Sequence, residues 1–77
     1  MRDLALHLVR GLVHEGARVQ VRERREGGRV LLEVGVAPDD RGRVIGRGGR
    51  TADALRTVLD AVARRRGCSC RVEVLDR

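Results

Sequence analysis

The 77-residue sequence contains no phenylalanine, tyrosine, tryptophan or lysine. Without aromatic rings, the chain cannot build the base-stacking surfaces of RRM-type and OB-type nucleic-acid binders. Its interior must come from aliphatic side chains, namely nine Leu, twelve Val, one Ile and seven Ala. A chain of this size buries only about 60% of its unfolded surface, so we expect a thin core.

Long apolar runs are also missing, and no stretch approaches the roughly 20 residues of a membrane span. We expect no signal peptide, because Met1-Arg2-Asp3 leads into a helical pattern. Cys68 and Cys70 are the only cysteines. On a strand they would share a face, which does not suit an internal disulfide, and there are no nearby histidines to complete a zinc site. We expect a cytoplasmic protein with reduced thiols, no cofactor and no membrane partner.

Positive charge is in excess, because 17 arginines face 11 acidic residues and give a net charge of +6. Such an excess on a small domain points toward nucleic acid as the partner. The sequence contains no plausible nucleophile–base pair and no cluster of metal ligands. We therefore expect neither an enzyme nor a protein with a small-molecule substrate.

Hydrophobic periodicity predicts the element order α-β-β-α-α-β. The long helix should bury a stripe that includes Leu55 and Leu59 and is widened by Val58. Alternating residues in the first two strands predict an antiparallel pair with helices on one face. The expected elements are a helix from about Asp3 to His14, strands over residues 17–22 and 30–36, a short helix from Arg41 to Ile45, a helix from Arg50 or Thr51 to about Arg66, and a strand over 70–75.

Glycines and acidic residues mark the expected boundaries of these elements. Gly16 and Gly67 are predicted to end the first and the long helix. The pair Gly27-Gly28 is typical of a hairpin turn. Asp39 and Asp40 are well placed to cap the short helix.

The stretch from Arg43 to Arg50 concentrates three glycines and three arginines between two predicted helices. Glycine permits close approach of a backbone, and arginine supplies fixed positive charge, so the stretch suits a phosphate. A Walker P-loop needs four residues between its glycines and then Gly-Lys-Ser/Thr, whereas a dinucleotide fingerprint needs Gly-x-Gly-x-x-Gly after a strand. The spacing of residues 46–49 excludes both. The remaining interpretation is a Gly-x-x-Gly loop between two helices.

Residues 44–50 resemble the signature of the KH domain: an apolar pair, Gly-x-x-Gly with a basic residue inside, and the start of a helix. The element order resembles the type II arrangement of that domain. The whole chain is similar to the single-domain bacterial KH proteins of the KhpA (YlqC) family, down to Val36-Ala37-Pro38 before the loop and the helix over residues 52–58. The resemblance implies an α+β fold with a three-stranded sheet covered by helices on one face, and a single KH domain over residues 1–77 with its loop at 46–49.

The same resemblance implies non-catalytic binding of single-stranded RNA, as an RNA chaperone or post-transcriptional regulator. Gly46 and Gly49 would shape the loop, and Arg47 would contact the RNA backbone. The bases would lie along an apolar groove built from Val44, Ile45 and the second strand near Val34 and Val36. The expected RNA-binding residues are Arg43, Val44, Ile45, Gly46, Arg47, Gly48, Gly49 and Arg50, in a positive field to which Arg41 also contributes.

The family also implies protein partners, namely a second copy in a homodimer and the larger KH-containing protein KhpB, also called Jag or EloR. Asp53 departs from the family pattern, because relatives often carry a basic residue there, and its charge would repel a nearby phosphate. An alternative function is a protein-interaction or ribosome-assembly module with a KH-like fold. The intact Gly-x-x-Gly favours direct RNA binding over that alternative.

Overall fold

The computed structural model describes residues 1–76, and its elements follow the predicted order. Short 3₁₀ turns lie before the first strand, before the short helix and within the glycine-rich loop. The helices and strands are α1 (Arg2–Arg10), β1 (Gln20–Glu26), β2 (Arg29–Gly35), α2 (Arg41–Ile45), α3 (Arg50–Arg65) and β3 (Ser69–Val74).

The three strands form one mixed sheet with β2 in the centre. β1 pairs with β2 antiparallel, and β3 pairs with β2 parallel. On β2 the even-numbered residues Val30, Leu32 and Val34 are buried, and they join α1 and α3 residues in one core. This α+β architecture with helices on one face of the sheet agrees with the prediction.

The first helix is shorter than predicted, because α1 ends at Arg10 rather than near His14. Gly11 closes the helix with its backbone N–H to His7 O and Leu8 O. Farther on, the backbone N–H groups of His14 and Glu15 donate to the Asp40 carboxylate, each at 3.0 Å. These tertiary hydrogen bonds replace helical ones. The prediction that Gly16 ends the helix is therefore wrong, and residues 16–18 form a 3₁₀ turn instead.

The first strand lies later than predicted, at residues 20–26 instead of 17–22. Its second half is strongly charged and carries no apolar alternation, yet it pairs along its full length with β2. The two-residue turn at Gly27-Gly28 is confirmed by the pairing of Glu26 with Arg29. Pairing with a buried central strand thus extends β1 into residues whose own composition does not favour a strand.

The long helix α3 matches its predicted bounds within one residue. Its end is a Schellman motif, in which Gly67 (φ +81°) donates to Arg64 O and Cys68 N donates to Ala63 O. Leu55 and Leu59 lie in the core as expected. The prediction that Val58 widens the buried stripe is wrong, because this side chain is 48% exposed.

No helix within residues 1–76 combines the length and the apolar content that crossing a bilayer requires. Cys68 and Cys70 are both half-buried and free.

Candidate functional site

The glycine-rich loop, residues 46–49, needs backbone conformations that glycine adopts easily. Gly46 has φ +77° and ψ +167°, Gly48 has φ +66°, and Gly49 has φ +79°. A hydrogen bond of 3.0 Å from Gly49 N to Gly46 O closes the turn. Only Arg47 has a negative φ among the four loop residues, so its position alone accepts a side chain without strain.

Gly46 is constrained by space as well as by φ. A Cβ built on it would lie 2.8 Å from both the Cβ and the backbone N of Thr51, in the first turn of α3. A Cβ on Gly48 or Gly49 would meet nothing within 4 Å. The close approach at Gly46 brings the end of α2 directly against the start of α3.

One exposed arginine lies within this loop and a second directly follows it. Arg47 and Arg50 form no ion pair with any acid in residues 1–76. No side chain caps the N-terminus of α3 at Gly49, so the N–H groups of its first turn are open to an outside acceptor. Free guanidinium groups and a helix N-terminus together favour an anion here.

The other two arginines near the loop are engaged within the protein. Arg43 donates to Asp39 O at 3.0 Å and lies 3.4 Å from the Asp40 carboxylate. Arg41 donates to Leu75 O at 2.9 Å. They still add to the positive field around the loop, but their guanidinium groups hold α2 against its neighbours.

Asp40 is the one charged residue buried within residues 1–76, at 1% exposure. Hydrogen bonds from the His14 and Glu15 backbone, which outweigh burial, lower the pKa of its carboxyl, and Arg43 lowers it further. The sequence predicted that the Asp40 side chain would cap the start of α2. Instead the Asp40 carboxylate makes no capping hydrogen bond to α2. It accepts from the backbone of His14 and Glu15 and so connects the segment after α1 to the start of α2.

An apolar groove of about 710 Å³ opens beside the loop, between α3 and the edge strand β3. Ile45 and Ala52 line one wall, while Leu31 and Val74 line the other. The rest of its lining includes Gly49 from the loop and five charged residues, namely Glu26, Arg29, Arg56, Arg71 and Glu73.

The expectation that Val34, Val36 and Val44 line this groove is wrong. Val34 and Val44 are fully buried and Val36 is 8% exposed, so these side chains fill the core beneath the site. Of the apolar pair before the loop, only Ile45 reaches the groove. Helical geometry explains this, since adjacent residues on α2 point in different directions.

Arg56 links the two sides of the groove. Its Nε donates to Val72 O on β3 at 3.2 Å, and its Nη1 donates to the Asp53 carboxylate at 2.9 Å. Asp53 is thereby paired with a positive charge one turn away on the same helix. The repulsion that Asp53 was expected to exert on a phosphate is partly offset by this pair.

Residues 1–76 contain no group of three or more His, Cys, Asp or Glu side chains arranged for a metal ion. Burial raises the pKa of the Cys70 thiol, which disfavours a reactive thiolate. The exposed arginines and the uncapped N-terminus of α3 suit recognition of an anion next to the apolar groove.

Comparison with known proteins gives concordant matches. The family model described as "KhpA/KhpB, KH domain" matches residues 2–74. A protein named RNA-binding protein KhpA from Streptomyces coelicolor is 54% identical over 70 residues, which cover 91% of this chain and 85% of the relative. Proteins of the same name from Mycobacterium tuberculosis (strain H37Rv) and Halalkalibacterium halodurans are 49% and 40% identical over 76 residues. Those alignments cover 96% and 99% of this chain, and 89% and 100% of the two relatives.

Proposed function

Because this chain belongs to the KhpA/KhpB KH-domain family, we propose that it is a non-catalytic protein that binds single-stranded RNA. The RNA backbone lies against residues 46–49 and the first turn of α3, and the bases lie in the apolar groove. The observation that carries the proposal is the loop itself. Three glycines in positive-φ conformations, two arginines with no ion pair in residues 1–76 and an uncapped helix N-terminus converge beside the mouth of an apolar groove.

The residues divide into those that shape the site and those that contact RNA. Gly46 and Gly49 set the path of the loop, and Arg47 and Arg50 contact phosphates. Ile45 supports the bases from the wall of the groove. Aliphatic side chains such as Ile45 suit this role, because a KH loop holds about four nucleotides by their backbone and does not depend on a stack of aromatic rings.

We extend the proposal to the cellular role. A single groove that reads few bases gives modest affinity, which suits an RNA chaperone or post-transcriptional regulator acting in the cytoplasm. Two grooves in one assembly raise the effective concentration of the second site. A homodimer, or a complex with a KhpB protein, would provide that arrangement, and the shared KhpA/KhpB family model is consistent with such pairing.

The deciding experiment reverses the charge of the loop. In the variant Arg47→Asp/Gly48→Asp, two carboxylates face the phosphates, and Asp tolerates the positive φ of residue 48 better than most residues do. We expect an unchanged circular dichroism spectrum. The affinity for a fluorescent single-stranded octanucleotide should fall by about tenfold or more, since a charge-assisted hydrogen bond contributes about 1.5–3 kcal/mol.

The matched control is Arg47→Gln/Gly48→Asn, which alters the same two positions without adding negative charge. It should weaken binding less than the Asp variant. If the Asp variant binds RNA as tightly as the unmodified protein, the loop is not the RNA clamp, and the interaction or ribosome-assembly module becomes the better account.

A further inference from the structure

The apolar groove continues past Arg56. Beyond this side chain lies a second concavity of about 620 Å³, between the middle of α3 and the start of β3. Arg29, Arg56 and Arg71 line both spaces, so the surface is continuous. At its far side, Cys70 N of β3 donates to Asp60 of α3 at 2.9 Å. Because α3 runs antiparallel to β3 here, the second concavity leads away from the loop.

Arg29 and Arg71 both supply positive charge to this surface. The register pairs Arg29 with Ser69 and Leu31 with Arg71, so the two arginines are diagonal neighbours on the outer face of the sheet. Both are exposed, and neither forms an ion pair with an acid in the part of the chain that the structure describes.

The acidic residues nearby do not cancel this charge. Asp60 is the single acid that lines the second concavity, against four arginines. It already accepts from Arg64 Nε at 2.7 Å and from the Cys70 backbone. Glu26 and Glu73 do not line the second concavity, although both line the neighbouring apolar groove and Glu26 lies beside Arg29 at the hairpin. The second concavity is thus suited to an anionic ligand.

An extended peptide is a poorer fit than a nucleic-acid strand. Strand addition needs a row of free backbone groups along a sheet edge. On β3, the outward N–H of Cys70 is occupied by Asp60 and the outward carbonyl of Val72 by Arg56. Side chains of α3 therefore cover part of the edge with which a peptide strand would pair.

The groove and the second concavity together extend along β3 away from the loop. Val74, which lines the groove with Ile45, is three residues from Arg71 along β3, or about 10 Å of extended strand. A KH loop holds about four nucleotides, and a strand that runs on along β3 brings its next phosphates to Arg29 and Arg71. We propose that these two arginines bind the phosphates of nucleotides beyond the loop-bound segment. This inference rests on the proposed function.

The test compares RNA lengths. Affinities for a four-nucleotide and an eight-nucleotide single strand of uniform sequence are measured for the unmodified protein and for Arg29→Gln/Arg71→Gln. The control is Arg65→Gln/Arg66→Gln, which removes two exposed arginines that line neither space. We expect the unmodified protein and the control to bind the longer strand several-fold more tightly.

The Arg29→Gln/Arg71→Gln variant should weaken binding of the longer strand more than binding of the short strand, and so lose most of the gain with length. Its salt dependence on the longer strand should be shallower by about 1.4 in log affinity per log salt, at ~0.7 for each lost phosphate contact. A length gain equal to that of the control overturns the inference, as does an equal weakening on both strands. If Arg47→Asp/Gly48→Asp instead binds both strands with the affinity of the unmodified protein, the proposed function itself is contradicted.

Discussion

Gly46 and Thr51 are so close that a Cβ on residue 46 would lie 2.8 Å from the Thr51 Cβ. The conformation of Gly46, φ +77° and ψ +167°, also belongs to a region that only glycine populates readily. This contact lets α2 and α3 meet at the loop, and it predicts that any other residue at position 46 would be strained.

Gly46→Ala should therefore destabilise the protein more than Gly49→Ala. We expect a loss of about 3 kcal/mol or more for Gly46→Ala, from backbone strain and steric overlap together. Gly49 has φ +79° but an ordinary left-handed ψ of +10° and open space around it, so Gly49→Ala should cost only about 1–2 kcal/mol. Urea unfolding of both variants measures the difference. Equal losses would show that the Thr51 contact is unimportant.

Asp53→Asn should strengthen RNA binding. The substitution removes a negative charge from the first turn of α3 and releases Arg56 Nη1 from its 2.9 Å ion pair. We expect a several-fold rise in affinity and a steeper dependence on salt. The matched control is Asp3→Asn, since Asp3 is also an exposed first-turn acid paired with an arginine, but lies on α1. If both variants behave alike, the effect reports net charge alone.

Asp40→Asn should lower stability in a pH-dependent way. The carboxyl has a folded-state pKa below its ordinary value of 3.8, chiefly because the His14 and Glu15 backbone donates to it. A lowered pKa stabilises the fold above the unfolded value, and that stability is lost as pH falls through the folded value. The variant should thus be less stable at neutral pH, and the gap should shrink below pH 3.8.

Thermal unfolding between about pH 2 and pH 7 measures this gap. Asp39→Asn serves as the control, because Asp39 is an exposed neighbour whose side chain accepts no hydrogen bond among those found in residues 1–76. A constant difference between the Asp40 variant and the unmodified protein at all pH values would contradict the assigned role.

Leu59→Ala and Val58→Ala should differ sharply in stability. Leu59 is 1% exposed at the centre of the core, and its truncation should cost about 2–5 kcal/mol. Val58 is its neighbour on α3 but is 48% exposed, so its truncation should change stability by no more than about 0.5 kcal/mol. Chemical denaturation of each monomer at low concentration provides the comparison. A large loss for Val58→Ala would mean that another molecule covers this side chain.

Local sequence signals determined most of the architecture. Apolar periodicity located α3 and β3, and the Gly27-Gly28 pair located the hairpin, because these features depend on residues close together in the chain. The Gly-x-x-Gly spacing likewise identified the loop at residues 46–49, because a backbone with positive φ favours glycine at that position whatever the rest of the fold.

Tertiary contacts decided the rest. α1 stops at Arg10 and Asp40 is buried because a carboxylate from residue 40 binds the backbone of residues 14 and 15, a pairing that no local pattern encodes. Packing of α2 against the rest of the fold buries Val44 in the core, whereas Ile45 lines the groove. Only the fold brought Arg29 and Arg71 together on neighbouring strands, because strand register is set by the packing of the whole sheet rather than by either segment alone.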